Sequence, residues 1–502
     1  MKIILGPPGT GKTTKLLSLV EYYLAKGVPP DRIGYFAFTR RAAHEAITRA
    51  KARFKLETNA FPFFKTLHSL AFRQLGISSK NLMQYEHYND ISKWLKIPKF
   101  NQSLEIEDGP FIDFGYGDKF LQTINMARTC QVPLRELYNR SEVSLHVNWS
   151  ELEWVNRCIN EYKKKHYLYD YTDLLEQFVA QELAPRLDVA FIDEAQDLSP
   201  LQWQMAHLIE RCADETYIAG DDDQAIYRWA GADVDYFIRL DGDVTVLDRS
   251  YRIPSSHHEI SQNLINRINS RRPKVFEPRP ERGIVQWHSD SMSVDLSEGS
   301  WLLLGRTKNM VRDLEAEVKA KGHLYTTRLG KSDKNDVTSA IEIWERLRDG
   351  GEATLEEVRL AYKFMEKDQV AHGFKTMPDA DEERPYKIQD LVQDFGLKHQ
   401  DPWSIGLKRI PEETRVYLEA CERKGENVGS KPRIHISTIH GAKGAEADNV
   451  LLLTDFNYPN ERRLRYNPHL MDDEKRVFYV GLTRAKEQLH LIHPMNTQGF
   501  RI

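Results

Sequence analysis

The chain has 502 residues, 41% of them hydrophobic and 29% charged, with a formal net charge of −4. That length exceeds a single compact core and suggests about three units, and no apolar run approaches the ~18 residues of a membrane span, which argues against a membrane partner. Near-neutral charge neither demands nor excludes a nucleic-acid partner, because such proteins localise positive charge in one groove.

The chain opens with a short apolar run, Ile3 to Leu5, read as a buried strand. It breaks into Gly6-Pro7-Pro8-Gly9-Thr10-Gly11-Lys12-Thr13-Thr14, which matches G-x-x-x-x-G-K-[ST]. Glycines let the backbone turn its N–H groups around a phosphate, where side chains would block approach. Lys12 reaches the β- and γ-phosphates in this motif, and the Thr13 hydroxyl ligates Mg²⁺. Leu16, Leu17, Val20 and Leu24 then recur at helical spacing, with Gly27 as a stop. A loop between strand and helix aims the helix N-terminus at an anion, so the chain is expected to bind a nucleoside triphosphate. Met1 leads directly into this strand. The four cysteines (Cys130, Cys158, Cys212, Cys421) lack C-x-x-C spacing. Both features favour a reducing, cytoplasmic setting without a leader, and the cysteines argue against zinc or a disulfide framework.

Arg32 to Phe38 reads as a second strand, followed by Thr39, Arg40 and a basic helix to about Phe54. Such a helix is either a solvated face or, at the end of a parallel strand, a phosphate contact. Thr66 to Leu70 offers hydroxyl and imidazole donors, among them Thr66 and His68. Residues 71–170 turn helical, with an extended interruption from Pro98 to Tyr116, and Tyr169 to Leu175 opens a helix back to the core. Val189 to Asp197 is an apolar strand ending in carboxylates: Asp193 suits Mg²⁺, and Glu194 suits orientation or deprotonation of the attacking water. Another strand, Thr216 to Gly220, precedes Asp221 to Trp229. Gln224 can sense a γ-phosphate there. Tyr227 and Trp229 are either base-stacking platforms or core rings.

Val244 to Leu247 is expected to begin a second sheet, followed by a helix from Pro254 and a Pro/Arg-rich linker, Arg271 to Arg282. Strands follow at Gly283 to Trp287 and Trp301 to Leu304, with a helix from Lys308 to Lys321. Asp333 to Lys431 is helical and charged. Arg433 to Ile439 runs into the glycine-bearing turn His440 to Glu446, then a strand to Leu453, a helix from Glu474 to Lys486 carrying Arg484, and a last strand, Leu489 to Ile492.

Taken together, these segments resemble the superfamily 1 DNA helicases of the UvrD/Rep (PcrA-like) type, in an ordered series spanning nearly the whole chain. Gly6 to Thr13 is similar to motif I, Phe38 to Ala43 to Ia, Thr66 to Ser69 to Ib, Asp193 to Asp197 to II and Gly220 to Ala232 to III. Tyr251-Arg252 is similar to motif IV, Thr438 to Glu446 to V, and Tyr479 to Ala485 to VI. The resemblance implies an α/β protein of two RecA-like P-loop domains, parallel sheets flanked by helices, with ATP in the cleft between them. The first domain would comprise 1–70 with 171–243, and the second 244–330 with 432–502. The mostly helical insertions would be 71–170 and 331–431. Tyr251 would stack on adenine, Glu446 would bond the ribose, and Arg252 and Arg484 would reach the γ-phosphate from the second domain. Phe38, Thr39, Arg40, Thr66, His68, Tyr227, Trp229 and His440 would track single-stranded DNA. The implied activity is a 3′→5′ translocase and helicase that uses ATP and Mg²⁺ on single strands and single/double-strand junctions. Replication, repair or recombination proteins would be its partners, and it would be a monomer of a bacterial or phage-encoded type. The alternative is an ATP-gated DNA-loading module that does not unwind processively. The chain departs from the family in four places. Five residues precede Gly6, without an upstream Gln motif; Ala230 stands where an arginine is frequent; the second insertion has no Gly-Ile-Gly-x-Arg-Thr; and only His493 to Ile502 follow the last strand, where the family has a strand-separating hairpin. These departures predict base discrimination that is looser or supplied from elsewhere, and a compact motor in which translocation is more firmly implied than unwinding.

Overall fold

The computed structural model describes all residues except 39, 55–59, 99, 101–115, 142–143, 145, 328–329, 332–334, 379, 383, 429–431, 456–467 and 495–498. The side chains of 40–42, 45, 116–117, 330–331, 335 and 468–469 are likewise outside the description. Two units emerge. One contains Met1–Ile284 and Pro459–Thr483 with Ile502, the other Val285–Tyr458 and Arg484–Arg501.

The first unit is built on a parallel sheet of β1 (Lys2–Leu5), β2 (Ile33–Ala37), β3 (Phe64–Thr66), β4 (Leu187–Ile192), β5 (Ala213–Gly220) and β6 (Asp243–Val246), in the order β3-β2-β4-β5-β1-β6. Its central strands are apolar runs because helices cover both faces of a parallel sheet. Ile3, Val189, Ala190 and Phe191 are fully buried. Helix α1 (Lys12–Ala25) turns Leu16, Leu17, Val20 and Tyr23 onto that sheet and ends before Gly27, whose φ of +88° suits a glycine. Helices α2 (Arg40–Phe54) and α3 (Leu67–Gln74) follow β2 and β3. Since β4, β5 and β1 are neighbours and parallel, their C-terminal ends bring the glycine loop, Asp193 and Asp221 to one edge of the sheet.

The expected start of a second sheet at 244–247 is not what forms. Those residues make β6, which pairs in parallel with β1 from Lys2↔Asp243 to Leu5↔Val246. The short apolar run Val244–Leu247 reads equally as a new core or as an edge strand, and β1 supplies the open edge that captures it. Residues 249–284 also stay with this unit, through β7 (Arg249–Pro254) paired with β8 (Glu277–Arg279).

The described residues of the first insertion are mostly helical and have their own core of Ile91, Phe100, Phe120, Leu152 and Val155. Its expected loop at 98–116 lies mostly outside the described residues. Arg128 and Lys163 of the insertion bind Asp170 and Asp173 at the head of the helix Tyr171–Ala180 at 2.6–2.9 Å, and Arg128 adds Glu176. Asp170 also caps that helix, accepting from the Asp173 N–H.

The second unit has a seven-stranded sheet ordered β12-β11-β13-β10-β14-β15-β9. Its strands are β9 (Ile284–His288), β10 (Trp301–Gly305), β11 (Tyr325–Thr327), β12 (Gly330–Lys331), β13 (Ile434–Thr438), β14 (Ala447–Leu453) and β15 (Ala485–Ile492). The second insertion folds around Trp344, Tyr362, Tyr386 and Leu391, all buried. The helix expected through Lys486 spans Pro468–Leu482, because pairing with β14 captures the chain from Ala485 onward. Arg484 therefore precedes a strand rather than riding on a helix.

Candidate nucleotide and nucleic-acid site

The loop between β1 and α1 has the geometry its glycines predict. Gly9 and Gly11 adopt φ of +75° and +77°. Gly11 is the N-cap of α1 without any side-chain cap, and the first turn carries no acid, so the helix N-terminus presents backbone N–H groups and a positive dipole end to an anion. Lys12 projects from this turn. Its Nζ lies 2.5 Å from Glu194 Oε1 and 3.4 Å from Asp193 Oδ1. Burial works against the ammonium charge, but Glu194 and Asp193 outweigh it and hold Lys12 above the ordinary lysine range. Burial, with Glu194, pushes Asp193 above the ordinary carboxylate range against the pull of Lys12.

Both acids are held in place by the fold. Asp193 accepts from the Tyr35 hydroxyl at 2.6 Å and from the Glu194 N–H at 2.8 Å. Glu194 has a left-handed backbone, φ +55°, and accepts at 2.6 Å from Gln196 Nε2, while Gln196 Oε1 accepts from the Asp221 N–H at 2.9 Å. Gly220 permits that last contact: a Cβ there would stand 2.4 Å from Gln196 Oε1. The oxygen donors expected to hold Mg²⁺, the Asp193 carboxylate at the tip of β4 and the Thr13 hydroxyl in the first turn of α1, suit a hard cation.

Motif IV is the clearest departure from expectation. Tyr251 and Arg252 belong to the first unit, not the second, because β7 is fastened to the glycine loop. Ser250 Oγ donates to the Pro8 carbonyl at 2.8 Å, and the Tyr251 N–H donates to the Gly9 carbonyl at 2.8 Å. Tyr251 is 69% exposed, and its ring lies 4.0 Å from where a Cβ on Gly11 would be. The exposed ring thus lies beside the glycine loop. Gln224, at the same sheet edge, donates through Nε2 to Asp221 Oδ2 at 2.7 Å.

The remaining residues divide. Glu446 and Arg484 lie in the second unit, where Glu446 pairs with Lys486 at 2.7 Å and Arg484 donates to the Ala445 carbonyl at 3.3 Å. Among the DNA candidates, Trp229 is half-buried, but Tyr227 is a core ring, 3% exposed and stacked on Phe38 at 5.7 Å between centroids. Of the two alternatives for these rings, Tyr227 therefore takes the core one, and Trp229 stays partly open. Thr66 caps α3, accepting from the Ser69 N–H at 3.2 Å; His68 meets the Tyr171 ring edge-on; His440 is 1% exposed. Thr39 and the Arg40 side chain lie outside the described residues.

The family models agree with this layout. The UvrD/REP helicase N-terminal domain matches residues 2–245, and the UvrD-like helicase C-terminal domain matches residues 433–492. The chain belongs to the UvrD/Rep helicase family. Within it, the ATP-dependent DNA helicase PcrA of Bacillus subtilis is 20% identical over 97% of this chain and 80% of its own length. A "Probable DNA helicase II homolog" of Rickettsia felis is 24% identical over 99% of this chain and 91% of its own. A solved structure of the PRRSV helicase aligns with a TM-score of 0.35 at 11% identity, covering 99% of this chain and 53% of that one.

Sequence reasoning missed a set of cations in this UvrD-family chain. Arg271 and Lys274, from the stretch read as a linker, return to Asp221, Asp222 and Asp223, and Arg476 joins them from the helix Pro468–Leu482. The available signal was the acidic run itself, since three carboxylates directly after a buried strand need cations from elsewhere in the chain.

Proposed function

We infer that this chain is an ATP-dependent DNA helicase that hydrolyses ATP at the β1–α1 loop and couples turnover to movement along single-stranded DNA in the 3′→5′ direction. The observation that carries the reading is Lys12, held at the head of α1 between Asp193 and Glu194. In this reading the Lys12 ammonium moves from the carboxylates to the β- and γ-phosphates when nucleotide enters. Asp193 and Thr13 would hold Mg²⁺, which would neutralise phosphate charge. Glu194, released from Lys12 but still oriented by Gln196, takes the proton of the attacking water. Tyr251 stacks on the base. The names of the relatives support DNA as the track, and the half-buried Trp229 supports a stacking contact with it.

The test is steady-state ATPase with and without single-stranded DNA, beside unwinding of 3′-tailed and 5′-tailed duplexes. Strong stimulation with unwinding of the 3′-tailed substrate alone is expected. Stimulation without unwinding would leave a translocase or loader. No stimulation would overturn the motor.

A further inference from the structure

Three consecutive carboxylates, Asp221, Asp222 and Asp223, have side chains no more than 1% exposed, and one ammonium serves all three. Lys274 Nζ, itself on a side chain 1% exposed, stands 3.2 Å from Asp221 Oδ1, 2.5 Å from Asp222 Oδ1 and 3.0 Å from Asp223 Oδ2. The three acids are not equivalent. Asp223 also receives Arg271, through Nε at 2.9 Å and Nη2 at 2.6 Å, and Asp222 receives the Arg272 N–H at 2.8 Å. Asp221 instead spends its second oxygen on Gln224, accepting from Nε2 at 2.7 Å, and takes the Asp223 N–H at 3.2 Å. Lys12 also feels the Asp221 charge, but its ammonium is engaged by Glu194 and Asp193.

Buried ion pairs contribute little net stability compared with well-packed apolar residues, so this cluster calls for a reason other than holding the fold. Gln224 supplies one. An ionised carboxylate can only accept a hydrogen bond, so it fixes the Gln224 amide with its NH₂ toward Asp221 and its carbonyl oxygen turned away. A protonated Asp221 could donate instead, and the amide would then be free to take either orientation. Burial pushes the Asp221 carboxyl up to about 6, with Lys274 restraining the rise against Asp223 and Asp222. Lys274 is thus the strongest of the influences that keep Asp221 an acceptor, with the Gln224 hydrogen bond adding to it.

We propose that Lys274 is a positioning residue for ATP hydrolysis, holding Asp221 as a carboxylate and thereby fixing which end of the Gln224 amide is presented to the γ-phosphate and its attacking water. This rests on the reading of Gln224 as the residue that meets the γ-phosphate. Lys274 touches no substrate; it acts through Asp221.

The test is a double-mutant cycle on the full chain, measured as ATPase at saturating single-stranded DNA. Asp221→Asn, whose amide can present either end, is expected to lower kcat by about tenfold or more, the scale of a misoriented proton-transfer or hydrogen-bonding group, and to leave KM for ATP nearly unchanged. In the Gln224→Ala background the same substitution should do nothing further, because its effect passes through Gln224. Lys274→Met should behave as Asp221→Asn, and Lys274→Arg should restore most of kcat. If Lys274→Met fails to fold, the Asp221→Asn cycle alone decides. Multiplicative losses in the double variant, or normal turnover by Asp221→Asn, would overturn the positioning role. Lys12→Ala run alongside separates the two levels. Retained turnover there would remove the nucleotide-site reading itself, whereas an inactive Lys12→Ala with an additive cycle would remove only the role of Lys274.

Discussion

Gly9→Ala offers a sharp test of how the glycine loop and motif IV are joined. Gly9 has φ +75°, and a Cβ added there would meet Arg252 Cβ at 2.5 Å, Ser250 Oγ at 2.7 Å and the Arg252 backbone nitrogen at 3.2 Å. The left-handed backbone costs an L-residue about 1–2 kcal/mol, and overpacking of this kind adds about 1–3 kcal/mol. The loop can escape that strain by leaving the phosphate-binding conformation, which breaks the bonds from Ser250 Oγ to Pro8 and from the Tyr251 N–H to Gly9. Nucleotide binding must then restore it, so the cost of about 2–5 kcal/mol falls on affinity. At about 1.4 kcal/mol per decade, KM for ATP should rise by roughly thirtyfold or more. Gly27→Ala is the control: φ is +88° but nothing lies within 4 Å, so it carries the backbone strain without the clash. It should lower the melting temperature slightly and leave KM unchanged. Fluorescent ATP-analogue binding and ATPase kinetics on both variants decide the matter. If Gly9→Ala binds nucleotide like the wild type, or Gly27→Ala weakens binding equally, the close approach of β7 to the loop is not what shapes the site.

Lys12→Ala should reduce ATP turnover by about a hundredfold to a thousandfold, the scale of losing one preorganised group at developing charge, while single-strand affinity persists; unchanged turnover would remove Lys12 from the site. Trp229→Ala should weaken single-strand binding by about 1–3 kcal/mol with the fold intact. Tyr227→Ala, which removes a buried ring stacked on Phe38, should instead cost about 3–5 kcal/mol of stability; thermal melts beside strand-binding titrations separate the two, and reversed phenotypes would refute the assignment. Asp221 carries a pH signature as well as a kinetic one. Its folded pKa of about 6 exceeds the ordinary 3.8, so at neutral pH its ionised form opposes folding by about 3 kcal/mol, and that penalty disappears as pH falls from 6 to 3.8. Asp221→Asn should therefore melt above the wild type at pH 7.5 and lose its advantage near pH 4, and a variant melting below the wild type at pH 7.5 would contradict this.

What the sequence made legible is what a short segment decides by itself. The glycine loop needs only its own residues to turn a backbone around an anion, so β1, Gly9, Gly11, Lys12 and α1 were readable in order. The same holds for the strand ending in Asp193 and for the apolar strands of both sheets. Partnerships were not readable. Val244–Leu247 has the same pattern whether it founds a new sheet or closes the edge of the first, and only the vacant side of β1 distinguishes these. Arg271 to Arg282 has the proline and charge content of a linker, yet Arg271 and Lys274 are drawn inward by three carboxylates some fifty positions earlier. Tyr227 and Trp229 look alike in sequence, but the step between them enters the short helical turn Arg228–Ala230, with Tyr227 in the core beside Phe38 and Trp229 half-buried.

That step also bears on how ATP and DNA could be linked in this UvrD-family chain. Gln224 and Trp229 are the ends of one short segment whose interior is packed: Ala225, Ile226 and Tyr227 are each no more than 3% exposed. Arg228 fixes the far end, binding Asp235 at 2.8 Å and Asp473 of the helix Pro468–Leu482 at 3.1 Å. The same helix grips the near end, where Arg476 Nε donates to the Asp222 carbonyl at 2.9 Å and Nη2 donates to the Ser270 carbonyl at 2.6 Å. A segment buried in its middle and held at both ends by one helix resists independent side-chain rearrangement, because close-packed interiors transmit displacement rather than absorb it. On the proposed reading, a shift of Gln224 on γ-phosphate loss would therefore move Trp229 with it as one body. Breaking the grip on one end, by Asp473→Asn, should uncouple the two, lowering DNA stimulation of ATPase more than basal turnover. Equal loss of both rates would mean that the segment transmits nothing and the helix only holds it together.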